Sequence, residues 1–378
     1  MSGRRVLMLT NALLPPREGI GHHVTSLAAA LRERGHAVHI LAASPGLAWR
    51  GGEVAGIPWT GYPVPPLRPV HQLAARPGLV RWLAAHGGAF DLLHVHLPLL
   101  PPLPFDGPVA VTVHTPMLVD TAATCDRRLE RLAARLYARL FSARCERFWL
   151  KRARHLFAVS SRIARELACH YRPPRAATVL PNGVDAGFFA FRDESARRDF
   201  VLYVGRLGPR KGLGTLIRAF ALLARRDLKL VLLGAGPLET RLRRLSRELE
   251  VADRVIFAGA GDRERVRDAV QRCRLFVLPS AYEGMSLALL EAMAAGAPVV
   301  TTEACTLPEF GSPPPFTVVP AGDHRALATT MGHLLDSPER RRALAAAARR
   351  LVEARFTWPR VAEAFEAAVF GADLREAA

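Results

Sequence analysis

The chain has 378 residues, half of them hydrophobic and 23% charged, with a formal net charge of +18. That length suits two domains, each able to bury its own core. Its apolar runs are strand-sized, as in Leu275 to Leu278, which excludes a membrane-spanning helix of roughly 20 apolar residues. The five cysteines (Cys125, Cys145, Cys169, Cys273, Cys305) are odd in number and form no C-x-x-C pair. Neither a disulfide framework nor a zinc site is indicated, and a reducing, cytoplasmic setting is expected. All but three of the 52 basic residues are arginine, the exceptions being Lys151, Lys211 and Lys229. The skew matches an arginine-rich coding bias, and with no recognition module beside it the charge does not indicate nucleic-acid binding.

Two arginines precede the run Val6 to Leu9, which is too short for the apolar segment of a signal peptide and reads as the start of a core strand, Val6 to Thr10. A loop through Pro15, Pro16 and Gly19 leads to a helix with Val24, Leu27, Ala28 and Leu31 on one face. Gly35 supplies its C-cap and Val38 to Leu41 the next strand, completing a βαβ unit. The proline-rich stretch Pro58 to Pro77 is expected to form loops, and Leu92 to Val95 and Val109 to Val113 read as further buried parallel strands. In Asp91-Leu-Leu-His94-Val-His96 two histidines share one face of a strand. A metal site there lacks a visible third ligand, so both are read as structural or crevice-lining and no metal is expected.

Between Arg127 and Arg154 there are ten basic and two acidic residues, with Leu129, Leu132, Leu136 and Leu140 at helical spacing beside Tyr137 and Phe141. The apolar stripe predicts a core-facing helix, and its arginine face suits peripheral contact with an anionic membrane at its inner face.

The second half alternates strand and helix: Phe200 to Val204, Leu213 to Ala224, Lys229 to Leu233, Leu238 to Leu249, Val255 to Phe257, Arg263 to Arg272, Leu275 to Leu278. The seam between halves is placed near Asp185 to Asp199, where core-type runs give way to charge. In such an α/β chain a ligand belongs at the carboxyl ends of the strands, facing the crevice.

Two segments carry chemistry. Gly205-Arg206-Leu-Gly-Pro-Arg210-Lys211-Gly212 is a cationic, glycine-rich strand-to-helix turn suited to a diphosphate, and it lacks the second glycine and the Ser/Thr of a P-loop. In the second, Glu283 precedes a helix that contains Glu291, eight residues on. The two carboxylates then stand at most about 12 Å apart and do not share a proton. The amides of Gly284, Met285, Ser286 and Leu287 between them form a seat for phosphate oxygens, leaving one carboxylate for the hydroxyls of a sugar and the other for a ribose. The plainer reading makes both glutamates helix-face charges, with Glu283 favouring the helix dipole.

Pro279-Ser280-x-x-Glu283-Gly284 with its Glu-x7-Glu spacing, Gly205-Arg206-Leu with Lys211-Gly212, Pro181-Asn182-Gly183-Val184-Asp185, and Gly19-Ile-Gly-His-His23-Val24 with Arg34-Gly35-His36 resemble the retaining glycosyltransferases of family 4. The resemblance runs from about residue 4 to 370, including Phe356-Thr-Trp358. It implies the GT-B fold, two doubly wound Rossmann-like α/β domains facing an interdomain cleft. The divisions would be an acceptor-side domain at 1–185, a linker at 186–199, a nucleotide-sugar domain at 200–355 and a helix at 356–378 crossing back to the first domain.

The resemblance further implies that Arg206 and Lys211 neutralise the diphosphate leaving group, Glu283 binds the donor sugar, Glu291 binds the ribose, Gly19 approaches the donor, and His114, at the end of its strand, touches the sugar. No metal or other cofactor is implied, since the two cations do the electrostatic work. The expected activity is transfer of a hexose-type sugar from a UDP- or GDP-sugar to a lipid, glycan or small molecule. A nucleotide-sugar epimerase and a non-catalytic nucleotide-sugar-binding protein are the alternatives. Two positions depart from the family pattern: Glu18 stands where the first of two adjacent glycines is usual, and Ala304-Cys305-Thr306-Leu307 replaces a glycine-rich turn before Pro308-Glu309.

Overall fold

The computed structural model describes residues 3–16, 18–64, 71–124 and 136–376. The chain divides into two compact units, one of residues 1–183 with 358–378 and one of residues 184–357.

In the first unit the elements are β1 (Arg5–Leu13), α1 (Gly19–Glu33), β2 (Ala37–Pro45), β3 (Arg50–Val54), β4 (Ile57–Val64), α2 (His71–His86), β5 (Leu92–Leu97), β6 (Val109–Val113), α3 (Met117–Thr124), α4 (Ala143–Arg152), β7 (His155–Ala158), α5 (Ser161–His170) and β8 (Thr178–Val179). They build one eight-stranded sheet in the order β3-β4-β2-β1-β5-β6-β7-β8. Strands β1, β5 and β6 are covered on both faces, which is why β1 and β6 are largely apolar without alternation, while in β5 the buried His94 and His96 interrupt the apolar run. Val24, Leu27, Ala28 and Leu31 of α1 are fully buried, on the expected face.

The stretch from Pro58 to Pro77 is not loop throughout. It holds most of β4, which pairs parallel with β2 and antiparallel with β3 across a tight turn in which Ala55 and Gly56 both take positive φ. It also holds the start of α2, with Pro77 inside the helix. Tertiary pairing of Trp59 to Val64 with β2 outweighs the weak strand propensity of Pro58, Gly61 and Pro63. Residues 65–70 of that stretch, Cys125, and Arg127, Leu129 and Leu132 of the basic segment lie outside the described residues. Within the part of the basic segment that is described, Leu136, Leu140 and Phe141 are exposed, so these members of the stripe do not face the core.

The second unit continues with β9 (Arg198–Val204), α6 (Leu213–Ala221), β10 (Lys229–Leu233), α7 (Glu239–Glu248), β11 (Val255–Gly259), α8 (Arg263–Arg272), β12 (Cys273–Leu278), α9 (Leu287–Ala294), β13 (Val299–Thr302), β14 (Thr317–Val319), α10 (His324–Leu335) and α11 (Pro338–Arg355). The last helix, α12 (Trp358–Glu376), belongs to the first unit. The second sheet is parallel, in the order β11-β10-β9-β12-β13-β14. Residues 186–199 are bonded into this unit: the buried Arg197 guanidinium donates to the carbonyls of Arg192, Val270, Cys273 and Ala295. Among the described residues no helix is long and apolar enough to cross a membrane.

Candidate active site

Each sheet has one place where neighbouring strands run on in opposite directions along the sheet, and there the carboxyl ends of the strands leave a cleft for ligand. In the second unit it lies between β9 and β12, so the loops that follow these strands meet although they are far apart in sequence. Gly212 is what lets them meet. It takes φ +66, and a Cβ there would stand 1.9 Å from the Pro279 carbonyl oxygen, so only glycine permits the approach. The Ala281 amide donates to the Arg210 carbonyl at 2.8 Å and locks the two loops together.

The result is an ion pair. Lys211 Nζ donates to Glu283 Oε1 at 2.6 Å, and Ser280 Oγ donates to the same oxygen at 2.7 Å. Burial pushes the Glu283 carboxyl up, but Lys211, Ser280 and Arg210 together outweigh it and hold the group below its usual range. Arg206 is different: its side chain is exposed, and its backbone carbonyl accepts from the buried Tyr203 hydroxyl at 3.0 Å. Lys211, in the same loop, is largely enclosed, its side chain only 18% exposed.

Helix α9 begins at Leu287, capped by Ser286, whose hydroxyl accepts from the Leu289 amide at 3.3 Å. Met285 is buried beneath this start. Glu291 lies in the fifth position of α9, and burial pushes its carboxyl up to about 7, with Arg263 pulling the other way. Arg263 in turn pairs with Asp185 at 3.3 Å and lies over the Phe188 ring, 4.2 Å from its centroid. At the second departure from the family pattern, Cys305 is buried against the carbonyl end of β12, 3.9 Å from the Leu278 and Ser280 carbonyl oxygens.

In the first unit the corresponding place lies between β1 and β5. Glu18 and Gly19 open α1 there, both exposed, with Glu18 extended and its side chain making no cap. Strand β5 turns His94 and His96 to one face, and His114 follows the end of β6. The sequence leaves His23 without a role, but α1 brings it to the same place. Its ring centroid lies 4.6 Å from that of His114 and 5.4 Å from that of His96. Three hydrogen bonds order the group: His23 Nδ1 to Asn182 Oδ1 at 2.9 Å, His94 Nε2 to Thr112 Oγ1 at 2.8 Å, and His96 Nδ1 to His114 Nε2 at 3.3 Å. Trp358 closes the cluster edge-on to His23 at 5.2 Å.

Burial lowers the proton affinity of all four rings, His23 to about 4 and the others well below their usual value. Behind His114 the α3 start is anchored by Glu146, which accepts from the Met117 amide at 3.1 Å and from the Tyr171 hydroxyl. Burial pushes the Glu146 carboxyl up to about 7.

Residues 188–351 match the family model described as "Glycosyl transferases group 1", and residues 17–188 match "Glycosyltransferase Family 4". The chain is similar to the MMP alpha-(1->4)-mannosyltransferase of Mycolicibacterium hassiacum, 31% identical over 300 residues that cover 75% of this chain and 71% of that protein. The chain is a group 1 glycosyltransferase. Over 200 residues, 47% of this transferase and 52% of the relative, it is 33% identical to the GDP-mannose-dependent monoacylated alpha-(1-6)-phosphatidylinositol monomannoside mannosyltransferase of Corynebacterium glutamicum. Its fold matches that of sucrose-phosphate synthase from Thermosynechococcus elongatus with a TM-score of 0.79, covering 99% of this transferase and 100% of that chain at 22% identity. The transferase thus has the GT-B fold, and the epimerase and binding-protein alternatives fall away.

Proposed function

We propose that this transferase moves a hexosyl group, mannosyl in the first instance, from GDP-mannose to a hydroxyl of a lipid-linked or saccharide acceptor, with retention of anomeric configuration and without a metal. The donor base and sugar are drawn from the relative in C. glutamicum, whose name specifies GDP-mannose and a phosphatidylinositol mannoside. The observation that carries the chemistry is the Lys211–Glu283 pair at the meeting of the β9 and β12 loops. An ammonium has three N–H donors. One is given to Glu283, so Lys211 can serve the departing diphosphate while the carboxylate accepts from hydroxyls of the sugar.

Arg206 adds a second cation, and the α9 start at Gly284, Met285, Ser286 and Leu287 adds the positive end of a helix dipole. Charge developing on the leaving oxygen is met by groups already in place, which is the dominant catalytic term in this reading and needs no metal. Glu291 takes the ribose hydroxyls and Gly19 approaches the diphosphate. His114 contacts the sugar, and the acceptor attacks on the face the diphosphate leaves, its proton passing to the departing phosphate. The division of labour is then a donor-binding second unit and an acceptor-side first unit.

A peripheral seat on anionic lipid at the cytoplasmic face fits a lipid-linked acceptor. Leu136, Leu140 and Phe141 are exposed beside the exposed Arg139, Arg144, Arg147 and Lys151, an apolar set within a cationic surround.

The test is product analysis by mass spectrometry and NMR with isotopically labelled GDP-mannose and UDP-glucose, each with phosphatidylinositol and free saccharides. An α-linked mannosyl product with release of GDP is expected. Turnover of the uridine donor alone would overturn the base and sugar, and a β-linked product would overturn retention.

A further inference from the structure

We propose that His23, His96 and His114 form a binding site for one divalent first-row transition ion of the zinc or cobalt type, and that the ion competes with sugar transfer. The site itself is independent of the donor reading. The competition rests on the contact between His114 and the sugar proposed above.

All three rings are buried, and one nitrogen of each lies within 4.8 Å of the other two. Nε2 of His23 and Nε2 of His96 are enclosed without a hydrogen-bond partner. An enclosed ring nitrogen with no donor to bind is costly, and a metal ion satisfies it directly. With Asn182 Oδ1 as acceptor, His23 carries its proton on Nδ1, which leaves the lone pair on Nε2. An orienting partner on the far nitrogen is the usual accompaniment of a ligating histidine.

The donor set selects the ion. Three imidazoles with no carboxylate suit zinc, cobalt, nickel or copper and not magnesium or calcium, which require oxygen. Metal–nitrogen bonds of about 2.0–2.1 Å place tetrahedral ligand atoms roughly 3.4 Å apart, so the ring nitrogens would draw in by at most about 1.4 Å from the 4.8 Å limit of their separation. The interaction displaced is the His96–His114 hydrogen bond, which at 3.3 Å is long and weak. Three protein ligands leave a fourth position open, as in sites where the ion exchanges its outer ligand and not in closed structural sites. His114, 8% exposed where His23 and His96 are 0%, marks the side of entry. An ion held there takes the His114 nitrogen away from the sugar.

The full-length chain, stripped with chelator and dialysed, is titrated with cobalt(II) alone. Visible absorption of a low-coordinate cobalt–imidazole centre should saturate at one equivalent and be displaced by zinc(II). His23→Asn and His96→Asn should each weaken binding at least about tenfold, while the exposed His170→Ala leaves it unchanged. Substituted buried histidines can unfold a protein, so Asn182→Ala is measured as well. It removes only the orienting partner and should weaken binding about 10–100-fold. Each variant is first shown to be folded by its melting curve.

Absence of a saturable signal in the wild type, or equal affinity in folded His96→Asn, would overturn the site. With GDP-mannose turnover as a second arm, zinc(II) should inhibit the wild type reversibly. Stoichiometric binding without inhibition would overturn the competition and keep the site, and binding with no turnover under any condition would count against the transfer reading alone.

Discussion

Lys211 and Glu283 are 72 residues apart in the chain and 2.6 Å apart in the fold. The pair makes Arg206 and Lys211, two of the three cations of the Gly205 to Gly212 loop, unequal. Lys211→Ala leaves a buried carboxylate without its charge partner, so it should lower stability by about 3 kcal/mol in addition to cutting turnover about 10²- to 10³-fold. Arg206→Ala should cut turnover similarly while the melting temperature stays within error, because Arg206 is exposed. In Lys211→Met/Glu283→Gln the stability should return and the turnover should not. A double-mutant cycle on denaturant unfolding measures the coupling; a coupling near zero would mean that the pair contributes nothing to the fold.

His114 belongs to the first unit, whereas the proposed nucleotide contacts other than Gly19, namely Arg206, Lys211, Gly284 to Leu287 and Glu291, belong to the second. His114→Ala should therefore bind GDP within a few-fold of wild type by calorimetry and lose sugar transfer, because its contact strengthens as the bond breaks. Transfer kept with nucleotide binding lost would place the nucleotide in the wrong unit.

Sugar transfer should survive exhaustive chelation, and removal of any ion from the histidine cluster should leave the rate equal or higher. Loss of activity restored by manganese or magnesium would show that a metal serves the diphosphate after all, and that Arg206 and Lys211 do not suffice.

The buried histidines set an acid limit on stability. His23 titrates at about 4 in the folded chain against 6.5 for an ordinary histidine, and His94, His96 and His114 shift the same way. The unfolded chain binds more protons between these values, so stability is complete above pH ~6.5 and falls as the pH drops toward ~4, by about 3 kcal/mol for His23 alone. Urea midpoints measured across that window should fall steeply for the wild type and less steeply for His23→Asn. Parallel slopes would mean that His23 does not contribute to the acid transition.

Replacing Leu136, Leu140 and Phe141 together by glutamine should weaken sedimentation with phosphatidylinositol-containing anionic vesicles by about tenfold or more and leave thermal stability unchanged, since all three side chains are exposed. Equal sedimentation would remove this face from any membrane contact.

Much of the architecture was legible in the sequence because buried parallel strands are continuous apolar runs and surface helices carry a 3.6-residue stripe. Val109–Val113, Lys229–Leu233 and Arg263–Arg272 coincide with the elements read from pattern alone. The β3–β4 hairpin and α2 were hidden, because Pro58, Gly61, Pro63 and Pro77 carry the local signature of loops and only pairing with β2 makes β4 a strand. In the candidate site, residue types and spacings within one segment were readable: the cationic turn ending at Lys211, and Glu283 with Glu291 on either side of a helix start. Which of them touch was not. That Lys211 binds Glu283, that Ser280 shares the same oxygen, and that His23 joins His96 and His114 follow from strand order, β9 beside β12 and β1 beside β5. Strand order is decided by long-range burial and twist, and no local pattern encodes it.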